Sequence, residues 1–155
     1  MLYLDASALV KRYVRDRGSG AVHARFNAGE RIFTSVLSYA EIQTVLGRKH
    51  QSREMTRRDY EATRERFLHD WLFSLNLLAV DENTMAALPT LVECFPLKAL
   101  DAVHLAAAHW LRDMTQLTKD FGPLGEKVEF GVSDRSLARI ARECGFTVFD
   151  PERSL

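Results

Sequence analysis

Short, continuously apolar runs alternate along this sequence with segments of helical periodicity, and that alternation leaves the chain few folds. The runs are Leu2 to Leu4, residues 31–34, NLLAVD at 76–81, VEFGVSD at 128–134 and FTVF at 146–149. They read as strands buried on both faces, the pattern of a parallel sheet covered by helices. Between them, Leu9, Val10, Tyr13 and Val14 fall at helical spacing, and a short helix is expected over Ala21 to Asn27. Ser35 reads as the N-cap of a helix whose stripe is Tyr39, Ile42, Val45 and Leu46. Thr56, with Asp59 three residues on, reads as the cap of a long helix with Tyr60, Phe67, Trp71 and Leu72 inward. Further helices are expected near Asn83 to Cys94, over the Ala-rich KALDAVHLAAAHWL, and over RSLARIARE with Gly145 at its C-terminal turn. Arg112 to Lys127, with Gly122-Pro123 and Gly125, reads as a loop. The expected architecture is α/β: a doubly wound parallel sheet of about five short strands flanked by helices, in a single domain over residues 1–155.

Charge narrows the function classes. With 21 basic and 21 acidic residues the formal net charge is zero, so no global field points to duplex nucleic acid or a membrane. Cys94 and Cys144 form no CxxC motif and read as buried thiols of a reducing compartment. Asp5 interrupts any signal-peptide core, and no apolar run reaches membrane-spanning length, so the expected location is the cytoplasm.

Three runs end in a carboxylate, Asp5, Asp81 and Asp134. In an open parallel sheet, ligands bind beyond the C-terminal ends of the strands. Each of these acids also has a plain structural reading as a helix cap. Two helical acids are harder to place that way. Glu41 lies beside an apolar stripe, and Asp101 sits in KALDAVHLAAA with Lys98 as its one nearby base. Two carboxylates ~4 Å apart repel by about 4 kcal/mol at an effective dielectric near 20, so acids that converge must take up a proton or a cation. An all-oxygen donor set without Cys or His suits Mg²⁺ or Mn²⁺, and the chemistry that follows is metal-assisted phosphoryl transfer with a metal-bound water as nucleophile.

Four segments, YLDASALVKRY, TSVLSYAEIQTVLGR, KALDAVHLAAA and FGVSDRSLARIARECGFTVFDP, occur in this order across nearly the whole chain. Together they resemble a PIN domain, specifically a VapC-type toxin of a toxin–antitoxin pair. The resemblance implies a PIN-like fold and a single-stranded-RNA endonuclease dependent on Mg²⁺ or Mn²⁺. By that resemblance Asp5, Glu41, Asp101 and Asp134 match the family's acids, with Asp5 and Asp101 as metal ligands. Ser7 and Ser133 match its supporting hydroxyl residues. It also implies a VapB-type antitoxin that covers the site, and a homodimer. Asp81 has no match and keeps its capping role.

Other signals are weighed against this reading. His104 is a partner of the acids, an RNA contact, or a packed histidine bonded to backbone; packing is the expectation. Trp71 and Trp110 are expected to pack rather than stack bases. Residues 48–66 carry seven bases against four acids, an excess of three, which i, i+4 pairing largely explains. Lys11 and Arg12, with Arg15 and Arg17, are the first candidates for phosphate contacts because they follow Asp5 closely. A haloacid-dehalogenase-like phosphatase needs D-x-D, and Ser7 stands at the second position. A catalytically silent PIN-like protein- or RNA-binding module is the non-enzymatic alternative; idle acid clusters destabilise a fold, which argues against it.

Overall fold

The computed structural model describes residues 1–117 and 127–153. Five strands run in chain order: β1 (Leu2–Leu4), β2 (Ile32–Ser35), β3 (Leu75–Leu78), β4 (Glu129–Gly131) and β5 (Thr147–Phe149). All pairings are parallel, and the sheet order is β3-β2-β1-β4-β5. The chain builds outward in one direction from β1, then resumes on its other side with β4. The crevice beyond β1 and β4 is therefore the topological switch point, where such sheets take ligands.

β1 shows why its residues are uniformly apolar. Leu2 and Leu4 project into a core with Leu9, Ile42, Leu46 and Phe67, while Tyr3 projects into the opposite one with Leu105, Phe130 and Ile140. Helices cover both faces. On the first side lie α1 (Ala6–Leu9), α2 (Ser19–Asn27), α3 (Ser38–Gln51) and α4 (Arg57–Phe73). On the second lie α5 (Leu88–Cys94), α6 (Ala99–Leu117) and α7 (Arg135–Glu143). Among the described residues no helix is long and apolar enough to cross a membrane.

Several sequence expectations need correction. Ser35 closes β2, and α3 starts at Ser38 without a side-chain cap; Ser35 Oγ accepts from Leu37 N at 3.2 Å instead. Thr56 does cap α4, accepting from Asp59 N at 3.1 Å. Leu72, however, is 69% exposed at the end of α4. β3 is an edge strand with Asn76 and Leu77 exposed, so its apolar run is not a buried one. The helix expected from Asn83 starts at Leu88, because Asp81 holds a turn by accepting from Asn83 N and Thr84 N at 3.0 and 2.9 Å. The expected loop at 112–127 begins later, since α6 continues to Leu117: no Gly or Pro interrupts LRDMTQL. The part at 118–126 lies outside the described residues. Both thiols are free, but Cys94 is exposed rather than buried and Cys144 is half-buried.

Candidate active site

The site begins where β1 meets α1. Asp5 is buried and caps α1, accepting from Ala8 N at 2.9 Å. Ser7 Oγ lies 2.8 and 2.9 Å from the two Asp5 carboxylate oxygens, and it also accepts from Ser133 N at 2.9 Å. One hydroxyl thus fastens the turn after β1 to the turn after β4. The backbone reinforces this, since Asp5 N donates to Gly131 O at 3.0 Å. The cap explains the position of Asp5 but leaves it strained electrostatically. Burial pushes its carboxyl up to about 6, against the opposing influence of His104, the Ala8 amide and Ser7, with Glu41 adding to the rise.

Glu41 reaches the same neighbourhood from the first turn of α3. Its carboxylate accepts from His104 Nε2 at 2.8 Å, and the other ring nitrogen of His104 lies 2.9 Å from the Tyr3 hydroxyl. His104 is 2% exposed. The expectation of a backbone-bonded histidine is therefore wrong: both ring nitrogens meet side chains. Asp101, one turn before His104 on α6, is half-buried. Its carboxyl is raised, first by burial and then by the charge of Asp134, with a smaller push from Glu41. Asp134 is exposed and caps α7 through one oxygen, accepting from Leu137 N at 2.9 Å.

The four acids therefore share one electrostatic neighbourhood without closing into a tight cage. Among the described residues no three His, Cys, Asp or Glu side chains are grouped closely enough to hold a metal ion. The donor chemistry nonetheless fits a hard divalent cation. The donors are carboxylates and hydroxyls without a thiol, and burial, with neighbouring carboxylates adding to it, holds Asp5 and Asp101 above the ordinary carboxylate range, which a bound cation would relieve.

The family model of the PIN domain matches residues 2–122 of this chain. The chain belongs to the PIN-domain family. Ribonuclease VapC46 of Mycobacterium tuberculosis is 34% identical over 110 residues, covering 71% of this chain and 75% of that protein. Ribonuclease VapC45 of the same species is 27% identical over 108 residues, covering 70% and 74%. Among solved structures, FitAcB from Neisseria gonorrhoeae superimposes with a TM-score of 0.69 at 15% identity, over 99% of both chains. VapBC2 from Rickettsia felis, bound to a DNA fragment from their promoter, gives 0.61 at 11% identity, over 97% of this chain and 98% of that one.

Seen as a PIN domain, the chain places Asp5, Ser7, Ser133 and Asp134 together at the switch point, with Glu41 and Asp101 entering from α3 and α6. Lys11 and Arg12 do not join them. The 3₁₀ turn at Val10–Arg12 buries Lys11, which pairs with Glu152 at 3.0 Å and Asp16 at 3.3 Å. Arg12 bonds Asp70 at 3.2 Å and His23 at 2.8 Å and lies over the Phe26 ring. Neither offers a free head to a phosphate. Arg17 and Arg135 are exposed and share one surface with Ser133, Arg153 and the carboxylates Asp150 and Glu152, which makes them the better candidates among the described residues. Sequence reasoning missed Arg135, although its place directly after Asp134 was the available signal. Trp71 packs on Phe67 and Tyr39, and Trp110 on the core around α6.

Proposed function

We propose that this PIN domain is the toxin ribonuclease of a VapBC-type pair, cleaving single-stranded regions of RNA with Mg²⁺ or Mn²⁺. The observation that carries this is the fastening of Asp5 to Ser133 through Ser7 at the switch point, within electrostatic reach of Glu41 and Asp101. In this reading Asp5 and Asp101 hold the cation. When bound, it offsets phosphate charge and acidifies a water that serves as nucleophile. Glu41 would orient an attacking water and is the acid placed to take up its proton. Asp134 has one oxygen left over from its cap to hold a water or a second ion. Ser7 Oγ, within hydrogen-bond distance of both Asp5 oxygens, holds that carboxylate in one orientation.

Beside the acids lies a groove of about 490 Å³ lined by Ala6, Val10, Leu37, Ala40, Val45 and Leu100, with Glu41 and Arg48 on its walls. It fits an apolar segment of a VapB-type antitoxin whose basic side chain reaches the acids. A homodimer belongs to the same reading, and the exposed Leu72 and Phe73 at the end of α4 are apolar surface for it to bury. The two free thiols accord with a cytoplasmic setting.

The decisive test is digestion of total RNA by purified, antitoxin-free protein with Mg²⁺, with Mn²⁺ and with EDTA, beside Asp101→Asn. Discrete fragments that need metal and vanish in the variant are expected. A folded protein that cuts nothing in any metal would instead favour the silent binding module, the reading suggested by the open arrangement of the acids. A second prediction concerns the RNA path. Replacing Arg17 and Arg135 with Gln should lower the slope of log affinity against log salt by about 1.4, at about 0.7 per phosphate contact on a single strand. Titration of fluorescent RNA into the Asp101→Asn protein at several salt concentrations measures it. An unchanged slope would place the strand elsewhere.

A further inference from the structure

The four acids are held in different ways. Asp5 and Asp134 are fixed by the helices they cap, a local and nearly unavoidable consequence of chain geometry. Glu41 has no such anchor. It sits on α3 at the wall of the groove, its side chain 25% exposed, and its acceptor bond comes from a residue 63 positions away. A glutamate has three rotatable bonds, so an unanchored Glu41 would spread its carboxylate over several rotamers.

His104 removes that freedom, and its own orientation is determined in turn. The ionised Glu41 carboxylate only accepts, so Nε2 of His104 donates to it. Nδ1 then shares one proton with the Tyr3 hydroxyl at 2.9 Å. Tyr3 is clamped in the centre of the sheet, fully buried and stacked on Phe130 with ring centroids 5.6 Å apart and planes 7° apart. It also meets the His104 ring edge-on at 6.0 Å. A rigid line of contacts thus runs from the β1–β4 core through one imidazole to one carboxylate oxygen at the crevice. Among the described residues only Glu41 Oε2 is engaged, which leaves Oε1 for the site.

We propose that His104, braced by Tyr3, is the positioning residue of Glu41. It sets the carboxylate for the reaction without touching substrate itself. This rests on the ribonuclease reading above and adds to it a residue pair 101 positions apart that holds the water-orienting acid. A merely structural His104 would fill space and satisfy polar atoms, and its loss would appear in stability alone.

The test compares His104→Leu, His104→Gln, Tyr3→Phe and the Tyr3→Phe/His104→Leu pair, with Glu41→Gln as control, on a short RNA with kcat and KM resolved. Melting temperatures are taken in parallel. Misplacing a reacting group by about 1 Å is worth on the order of 10²-fold, so His104→Leu should lower kcat by about that much with KM nearly unchanged. His104→Gln, whose amide replaces the Nε2 donor, should recover most of the loss. Tyr3→Phe should lower kcat several-fold in the wild-type background and not at all beside His104→Leu, because the brace acts only through the imidazole. Nitrogen-15 shifts of the imidazole report the same chain directly: Nε2 carries the proton in the wild type, and Glu41→Gln, whose amide can either accept or donate, should mix the tautomers. The proposal is overturned if Gln rescues no better than Leu, or if the two losses simply add. Full activity in Glu41→Gln, or a wild-type protein inactive on RNA, would overturn the underlying ribonuclease reading instead.

Discussion

Asp5→Asn should abolish RNA cleavage and, without metal, make the protein more stable at neutral pH. The second half follows from burial. The Asp5 carboxyl titrates at about 6 in the folded protein against 3.8 for an ordinary one. Between those values the unfolded chain has released its proton while the folded chain retains it. Stability therefore falls as pH rises through the window and is level above it. Two pH units correspond to about 3 kcal/mol, an upper limit on what removing the charge returns. Asn has one acceptor oxygen where the carboxylate has two, so part of the bonding from Ala8 N and Ser7 Oγ is lost and a gain of about 1–2 kcal/mol is the expected result. For a chain of this length that amounts to a few degrees in melting temperature. Melts at pH 5 and pH 7.5 check the sign: the wild type should lose stability between them, and the Asp5→Asn substitution should flatten the difference. Added Mg²⁺ should raise the wild-type melting temperature and leave the variant where it was, since binding stabilises only a protein that binds. In the wild type, cleavage at limiting metal should fall as pH drops through about 6. A variant that cuts at the wild-type rate, or melts lower at pH 7.5, would refute the assignment of Asp5.

Much of the fold was legible because the sheet is buried on both faces. A strand such as Leu2–Leu4 has no solvent side, so its residues are uniformly apolar and the run itself is the signal. The same rule misled at β3, where an edge position leaves an equally apolar run half in solvent. The acids were legible from their places after strands and on helix faces, and from the family resemblance. What they touch was not. Ser7 meets Ser133 across 126 positions, His104 meets Glu41 across 63, and Lys11 meets Glu152 across 141. No local period encodes such pairs. Lys11 shows the cost of proximity reasoning: it follows Asp5 closely in sequence, yet a tight 3₁₀ turn carries it into the fold, where a distant carboxylate takes up its charge.

Gly131→Ala should be among the most destabilising single-methyl additions in this protein, and should impair cleavage beyond the loss of folded material. Gly131 closes β4 opposite Leu4. A Cβ there would fall inside the Leu4 side chain, 3.2 Å from Phe149 Cδ1 and 3.3 Å from the Tyr3 carbonyl oxygen. Leu4 is fully buried, so its side chain has no solvent to retreat into. Overpacking of this kind costs about 1–3 kcal/mol. At about 2–4 °C per kcal/mol for a domain of this size, the melting temperature should drop by several degrees. The effect on activity follows from what the same residue holds. The Gly131 carbonyl accepts from Asp5 N, and Ser133, two residues on, donates to Ser7. Parting β1 from β4 to admit a methyl group therefore loosens the joint that aims Asp5. Leu4→Val in the Gly131→Ala background frees volume at the point of conflict. That pair should recover part of the stability and part of the cleavage rate together, although Leu4→Val alone is destabilising. Thermal melts and cleavage assays on the two single variants and the double variant measure the coupling. Purely additive losses would show that the two strands accommodate the methyl group elsewhere, and that the Leu4–Gly131 contact does not set the geometry of the site.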